Sequence, residues 1–307
     1  MVFDSYTEEF LGALKPSTRR TYRAGLTAFQ SFYGQRGTIR DFLDQVAEDE
    51  KRTLLEKTRV ARNTLNEFAE WLQKREYKPK TVTAYIAALQ SEARYFDLTI
   101  STRYVNLQAS NPVSRKYPWT LEDVSKFVGM MRKPEYRSLA VTMFQSGLSV
   151  SDVLALTYGD IQHEYELGIA PLCLDLTRIK TDTPYMTFIG SWGTALLREH
   201  LADAKPGPGD PLYTKSLRTI DEYFERLGKN FIGLYQGNNP CRPHSLRAAF
   251  RTLLADHRVE SLYIEFWMGH QVPEQQRVYV SKSREGWRQT YREQAEPWLT
   301  PDLKEVK

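Results

Sequence analysis

Apolar residues recur at helical spacing along most of this sequence, and one segment, residues 165–190, departs from that pattern. The segment holds two short β-prone runs, Leu172–Thr177 and Tyr185–Ile189, on either side of the turn-forming residues 181–184. Two such runs joined by turn formers are typical of a β-hairpin. The sequence therefore predicts a mainly α fold with a small β-sheet.

The first hundred residues favour an all-helical domain. Apolar residues recur at helical spacing after Pro16, a residue type favoured at the first position of a helix, and again within Leu54–Leu72 and Lys80–Tyr95. No alternating strand pattern competes with this periodicity. We assign residues 1–100 to one domain of about four helices.

Turn-forming residues cluster after this domain, and we interpret residues 101–118 as a linker. A second domain of mixed α+β character, residues 119–307, follows it. Its first helix starts at Thr120, with Asp123 three residues on to complete a capping box. Further helices are predicted at about residues 134–146, 151–157, 191–203 and 217–232.

Composition excludes several classes of protein. No apolar run approaches the ~18–20 residues that a membrane span requires, and the N-terminus lacks the pattern of a signal peptide. The chain has two cysteines, Cys173 and Cys241, without metal-ligand spacing. We expect a cytoplasmic protein that does not bind a membrane and has no disulfide and no metal site.

The net charge of +4 indicates an anionic partner only weakly, and the distribution of basic residues is more informative. Basic groups on one surface neutralise phosphates, although the same groups also suit an ordinary solvated helix. The predicted helix from Lys80 to Tyr95 is a candidate for a DNA major groove. The candidates for phosphate contacts are Arg19, Arg20, Lys78, Lys80 and Arg251.

The last quarter of the sequence holds the densest group of residues suited to chemistry. In a helix that starts near Pro243, His244, Arg247 and Arg251 fall on one face, which we expect to be exposed. Arginine offers a bidentate fork to a phosphate, and histidine exchanges a proton near neutral pH. Taken alone, His-x-x-Arg fits the surface of many helices equally well.

The order of these residues is more specific than any one of them. His244-x-x-Arg247 precedes Phe266-Trp-Met-Gly-His270, and Tyr279 lies nine residues beyond that histidine. This arrangement resembles the C-terminal signature of the tyrosine recombinases, the family of phage-type integrases and Xer-like enzymes. The resemblance implies that Tyr279 is the nucleophile.

The resemblance extends towards the N-terminus. Lys180 lies in the predicted hairpin, where the family carries a catalytic lysine on a β-turn, and Ser151-Asp152 resembles the family's Ser-Glu pair. The first domain is similar to the core-binding domain with which these enzymes clamp DNA, and the second to their catalytic domain. One position departs from the pattern, because Ser149 stands where the family has its first catalytic arginine.

The mechanism implied by the resemblance needs no cofactor. Tyr279 attacks a backbone phosphate and forms a 3′-phosphotyrosyl bond, which conserves the energy of the broken linkage for rejoining. Arg247 and His270 meet the charge that develops on the phosphate, and Lys180 protonates the leaving 5′-oxygen. The implied partner is double-stranded DNA with a specific recombination site, on which the protein self-assembles as a tetramer. The implied strand exchange passes through a Holliday junction.

The remaining roles follow from the same resemblance. His244 acts in proton transfer, and Asp152 orients His244 or Arg247. Ser149 supplies no charge, so either activity is reduced or Arg242 or Arg178 replaces the missing arginine. Arg178 and Arg242 are also candidate DNA contacts. The alternatives are a catalytically impaired DNA-binding relative and an enzyme similar to type IB topoisomerases.

The C-terminal segment Arg284–Trp298 is predicted to be helical. Tyr291 and Trp298 within it could dock on a neighbouring subunit, or the segment could pack on its own domain. Tyr291 is also the nearest alternative to Tyr279 as a nucleophile, but it lacks the offset from His270.

Overall fold

The computed structural model describes residues 3–107, 116–179 and 182–302, except for the side chains of Arg277 and Tyr279. Within these residues most of the secondary structure is helical, and two strands pair into one antiparallel sheet. The predicted fold class, mainly α with a small β-sheet, is confirmed. No described helix has both the length and the apolar character that crossing a membrane requires.

The chain divides into two compact units, residues 1–114 and residues 115–307. The division lies inside the predicted linker 101–118, of which residues 108–115 are outside the described residues. Each unit buries an apolar cluster of its own. Each unit is therefore described separately.

In its described part the first unit contains five helices rather than about four. Helices α2 (Pro16–Tyr33) and α5 (Pro79–Tyr95) come very close together at Gly25, where an added Cβ would lie 2.9 Å from the Cα of Tyr85. Glycine permits this approach because it has no side chain. The helices are α1 (Ser5–Gly12), α2 (Pro16–Tyr33), α3 (Ile39–Glu50), α4 (Val60–Gln73) and α5 (Pro79–Tyr95).

The helix predicted over Leu54–Leu72 starts later than expected, at Val60. Two leucines that precede it are 82% and 97% exposed, in a turn that contributes nothing to the core. The carboxylate of Asp49 accepts hydrogen bonds from the backbone nitrogens of Thr58 and Val60, at 2.7 and 3.2 Å. These side-chain to backbone bonds compete with helical ones and fix the start of α4.

The second unit surrounds its hairpin with helices, and the predicted capping box of Thr120 and Asp123 is confirmed at the start of α6. Its described elements, in chain order, are α6 (Leu121–Gly129), α7 (Pro134–Ser146), α8 (Val150–Leu154), α9 (Gln162–Glu166), β1 (Leu172–Arg178), β2 (Thr183–Ile189), α10 (Ser191–Leu201), α11 (Leu217–Phe231), α12 (Pro243–Asp256), α13 (Ser261–Trp267), α14 (Arg284–Gln294) and α15 (Glu296–Leu299). A 3-10 helix, Glu274–Val280, lies between α13 and α14.

Helix α7 is central to this unit, because every residue from Ser138 to Ser146 is buried. Strands β1 and β2 pair in an antiparallel register that ends with Arg178 opposite Thr183. The predicted hairpin is thus confirmed, and Arg178 is the last paired residue of β1 before the turn. Lys180, in that turn, lies outside the described residues.

Of the two alternatives for the C-terminal segment, the structure shows for Tyr291 the second, packing on its own unit. Tyr291 is fully buried, and its hydroxyl donates a 2.8 Å hydrogen bond to the carbonyl of Gln145 in α7. Burial raises the pKa of this phenol well above its ordinary value. Trp298 is 39% exposed and stacks on His257 at 3.7 Å between ring centroids. Tyr291 is therefore a core residue, inaccessible to DNA.

Candidate active site

Helix α12 begins with Pro243 and carries His244 and Arg247 one turn apart. The expectation that Arg247 lies on an exposed face is wrong, because its side chain is only 4% exposed. The guanidinium donates hydrogen bonds to the carbonyls of Gly147 and Met268, the latter at 2.8 Å. Arg247 thus points inward, to where α7 and α13 end and leave backbone carbonyls without helical partners.

Both of those helices end in a left-handed glycine. Gly147 has φ +66°, and a Cβ there would lie 2.7 Å from the ring of Phe250. Gly269 also has φ +66°, and a Cβ there would lie 3.0 Å from the ring of Tyr185. Only glycine adopts this backbone conformation at such close quarters without strain. The two turns hold the carbonyls that Arg247 binds.

A second guanidinium lies beside the first. Arg178, at the end of β1, donates a 3.1 Å hydrogen bond to the carbonyl of Gly269, next to the Met268 carbonyl that Arg247 binds. Burial lowers the pKa of Arg247 to about 10, and the positive charge of Arg178 contributes to the same decrease. Two positive charges are therefore concentrated at one helix end, although like charges repel.

Tyr185 on β2 is close to the same group. It is 4% exposed, and burial raises the pKa of its phenol, with a smaller contribution from the charge of Asp152. Arg247 and Arg178 act in the opposite direction on this pKa, which shows that both are near the ring. Nothing in the sequence marked Tyr185 as a residue of this site.

His270 follows Gly269 directly and completes the cluster. Its Nε2 accepts a 2.9 Å hydrogen bond from Arg247, and its Nδ1 contacts the carboxylate of Glu265. The other oxygen of Glu265 forms a 2.5 Å salt bridge with Arg251. No helical spacing selects Glu265 as a partner of His270, because residues five positions apart do not share a helix face. The left-handed turn at Gly269 brings the two side chains together.

Ser149 is the N-cap of α8 and contacts Asp152. Its hydroxyl donates a 2.6 Å hydrogen bond to the Asp152 carboxylate, which is 7% exposed. The sequence predicted that Asp152 would orient His244 or Arg247. In the structure Ser149 donates a hydrogen bond to Asp152. The negative charge of Asp152 partly offsets the lowering of the Arg247 pKa that burial causes.

His244 lies at the start of α12 and lines a pocket with Lys116 and Trp119. Partial burial lowers the pKa of its imidazole, and the positive charges of Lys116 and Arg247 lower it further. A lowered pKa favours the neutral form, which can accept a proton. His244 is thus one turn away from the arginine cluster but borders a different depression.

A cleft lies beside His270. It is lined by His270, by Thr183 from the hairpin and by Val280 from the 3-10 helix. Val280 is the residue after Tyr279, whose backbone lies in that helix and whose side chain is outside the described part of the chain. The neighbours of the hairpin turn and of Tyr279 therefore face the same space as His270.

The predicted DNA contacts differ in availability. Arg19 donates to the carbonyls of Gly12 and Leu14, so its guanidinium is engaged within the first unit. Helix α5, which we predicted could enter a major groove, buries one side against α2 and leaves few exposed side chains. The predicted contacts that are exposed are Arg20, Lys78, Lys80, Arg242 and Arg251.

The cysteines and acidic residues show no arrangement typical of a metal centre. In the ranges that the structure describes, no three His, Cys, Asp or Glu side chains are grouped so that they could hold a metal ion. Cys173 and Cys241 are both free and buried. Burial raises the pKa of each thiol to about 12, which keeps both protonated and unreactive at neutral pH.

The chain is similar in sequence and in fold to known recombinases and integrases. The chain is 23% identical over 240 residues, 72% of its length and 78% of the relative's, to the tyrosine recombinase XerD of Listeria innocua serovar 6a. The XerH recombinase bound to a palindromic difH substrate superposes with a TM-score of 0.58 and 19% identity, over 92% of this chain and 80% of that one. The chain has the tyrosine recombinase fold.

A lambda integrase dimer bound to a COC′ core site has the same fold, with a TM-score of 0.56 and 15% identity over 92% of this chain and 96% of that one. No protein-family model matches the chain. The similarity in fold thus extends over both units, while the similarity in sequence is low.

Proposed function

We propose that this protein is a site-specific DNA recombinase that cleaves and rejoins strands through Tyr279. One observation carries the proposal. Arg178, Arg247 and His270 converge at the end of α13, beside a cleft that is also lined by Val280, the neighbour of Tyr279. Paired guanidinium groups next to an imidazole suit a phosphodiester, which arginine binds through its planar fork.

The proposed reaction divides one difficult step into two easier ones. The Tyr279 oxygen attacks the phosphorus, the bond to the 5′-oxygen breaks, and the strand's 3′ end stays joined to the enzyme. Negative charge builds on the non-bridging oxygens, where Arg247 and Arg178 are placed to stabilise it. Lys180 would give a proton to the leaving oxygen, and His244 would accept one. The 5′-hydroxyl of a second strand then reverses the step.

Arg178 is placed to supply the positive charge that is missing at Ser149. The two guanidinium groups bind consecutive carbonyls, Met268 and Gly269, so Arg178 can supply a second positive charge from a strand instead of a helix start. Arg242, the other replacement considered, is the N-cap residue of α12, and its exposed side chain makes no capping hydrogen bond. We therefore assign the replacement to Arg178.

The proposed partner is double-stranded DNA with a recombination site, on which the protein assembles as a tetramer. The XerH and lambda integrase structures of this fold hold a difH substrate and a core site, respectively. The exposed Arg20, Lys78 and Lys80 are suited to phosphate contacts in the first unit.

A second candidate function, DNA binding without cleavage, is favoured by Ser149. Its hydroxyl is bonded to Asp152 and Ser151 and carries no charge that could stabilise a phosphate. A catalytically impaired relative would bind the same DNA but would never form a covalent adduct. The two functions are therefore distinguished by the adduct alone.

The test compares two tyrosines. The Tyr279→Phe protein first selects its DNA sequence from a random pool. That DNA is then nicked near the centre of the bound sequence. Cleavage next to the nick releases a short fragment that cannot be rejoined, so the covalent adduct accumulates. We expect the parent and Tyr185→Phe proteins to form an adduct that survives denaturing electrophoresis, and Tyr279→Phe to form none. Loss of the adduct in Tyr185→Phe with retention in Tyr279→Phe would reassign the nucleophile. No adduct in any protein would leave DNA binding as the function.

A further inference from the structure

We infer that Glu265 is a positioning residue that holds the imidazole of His270 for the cleavage reaction, and that Arg251 in turn holds Glu265. The inference rests on the proposed function for its catalytic meaning. Its structural basis is a continuous series of contacts from Arg251 through Glu265 and His270 to Arg247. It assigns roles to Glu265, which no motif marked, and to Arg251, which the sequence suggested only as a DNA contact.

The contacts determine which nitrogen of His270 carries the proton. A carboxylate only accepts hydrogen bonds, so the Nδ1 that faces Glu265 must be the donor. A guanidinium only donates, so the Nε2 that lies 2.9 Å from Arg247 must be the acceptor. Both partners therefore select the same neutral tautomer, with the lone pair of Nε2 directed at the arginine cluster.

This arrangement prepares His270 for either protonation state. The ring presents Nε2 to the place where a phosphate would meet Arg247, and a proton gained there makes Nε2 a donor to a phosphate oxygen. The adjacent carboxylate would stabilise the positive imidazolium, as carboxylates do beside catalytic histidines. Glu265 thus acts through His270 and touches no reacting atom.

The two oxygens of Glu265 have separate partners. Oε2 faces His270, and Oε1 forms the 2.5 Å salt bridge with Arg251, which is one turn beyond Arg247 on α12. The side chain of Glu265 is 28% exposed and that of Arg251 is 58% exposed. Because Arg251 is anchored on α12, the salt bridge fixes the rotamer of a carboxylate that solvent would otherwise leave free.

The first measurement needs no DNA. In the parent protein we expect a slowly exchanging Nδ1 proton of His270, shifted downfield by its carboxylate partner and correlated with the ring by nitrogen-15 NMR. The chain has five histidines, so His270→Gln identifies the signal. We expect Glu265→Leu to lose this signal, whereas Glu260→Gln, a change at an exposed residue just before α13, retains it.

The second measurement separates positioning from binding. We expect single-turnover cleavage of the nicked substrate to fall roughly 10–100-fold in Glu265→Gln, by analogy with groups that orient metal-binding histidines. The DNA Kd should change by less than about twofold, because Glu265 bears no charge attractive to phosphate. Arg251→Gln should give a smaller decrease with the Nδ1 proton retained, and Glu265→Asp should recover part of the rate.

The outcomes are decisive in both directions. A retained Nδ1 signal in Glu265→Leu, its absence from the parent, or an equal loss of DNA affinity and cleavage in Glu265→Gln would overturn the inference. Absence of any adduct in the parent would instead overturn the proposed function. In that case the NMR signal alone still decides whether Glu265 holds His270.

Discussion

Two arginines of the second unit are equally buried but differ in their charged partners. Arg247 and Arg288 are each 4% exposed. Arg288 on α14 pairs with the carboxylate of Glu164 at 2.5 Å, and although burial lowers its pKa, the bonds to Glu164 raise it above its ordinary value. Arg247 is held by two carbonyls and an imidazole, and burial lowers its pKa to about 10.

The two arginines differ in whether a carboxylate neutralises their positive charge. The positive charge of Arg288 is neutralised within the protein, and a neutralised buried pair needs no further partner. Within the described ranges Arg247 has no ion pair, and Arg178 adds a second positive charge beside it. An anion would reduce that repulsion, which supports the proposal that a phosphate binds beside Arg247.

The largest effect is expected on stability, at Arg288. Replacing it in Arg288→Met removes the closest cation from the carboxylate of Glu164, whose side chain is 9% exposed, and leaves it with Arg284 at 3.8 Å and the backbone N–H of Cys173. Breaking such a pair costs about 3–5 kcal/mol. Chemical denaturation followed by the fluorescence of the second unit's tryptophans measures this loss. Arg292→Met, at an exposed position on the same helix, is the control and should be nearly neutral.

A comparable effect is expected on catalysis, at Arg247. Arg247→Met should reduce single-turnover cleavage on the order of 10²–10³-fold, as removal of one charge-stabilising donor does. Its loss of unfolding free energy should be smaller than that of Arg288→Met, because Arg247 is held by carbonyls and an imidazole rather than by a carboxylate. The exposed Arg226 gives the control variant Arg226→Met. Unchanged cleavage together with a stability loss as large as that of Arg288→Met would break the comparison.

Burial also shifts the pKa of a charged group in the first unit, the carboxyl of Glu92, and here it raises the pKa. This glutamate is fully buried with one 2.7 Å hydrogen bond from Thr7, and burial raises its pKa from 4.5 to about 7. Between these values the folded chain keeps a proton that the unfolded chain releases, so stability falls as pH rises, by at most roughly 3 kcal/mol.

Glu92→Gln should therefore raise stability at pH 8 and leave it nearly unchanged at pH 4. Hydrogen exchange of the α1 and α5 amides in moderate urea, corrected for intrinsic rates, reports the first unit separately. The exposed Glu9 provides the control variant Glu9→Gln. The same pH dependence in Glu92→Gln and in the parent would show that burial of the carboxyl is not its cause.

Much of the fold was predictable because it depends on local patterns. The apolar spacing located α2, α5 and α7 closely, and turn formers between β-prone runs located the hairpin. The start of α4 was mispredicted because Asp49 caps it from a preceding helix. Periodicity describes which faces are apolar, but it does not register such caps.

The candidate site was predictable only in part. Sequence order selected His244, Arg247 and His270, but the burial of Arg247 depends on where α7 and α13 end, which no spacing encodes. Glu265 was missed because its contact with His270 requires the left-handed turn between them. The roles of Lys180 and Tyr279 stay predictions.

The turn that ends α13 has a consequence for how such a site is controlled. The carbonyl of Met268 binds Arg247, the carbonyl of Gly269 binds Arg178, and the next residue is His270 itself. A displacement of this one turn by an ångström would move all three groups together. The proposed cleavage and resealing would therefore be withdrawn and restored together, without a half-assembled site that cuts a strand but cannot reseal it.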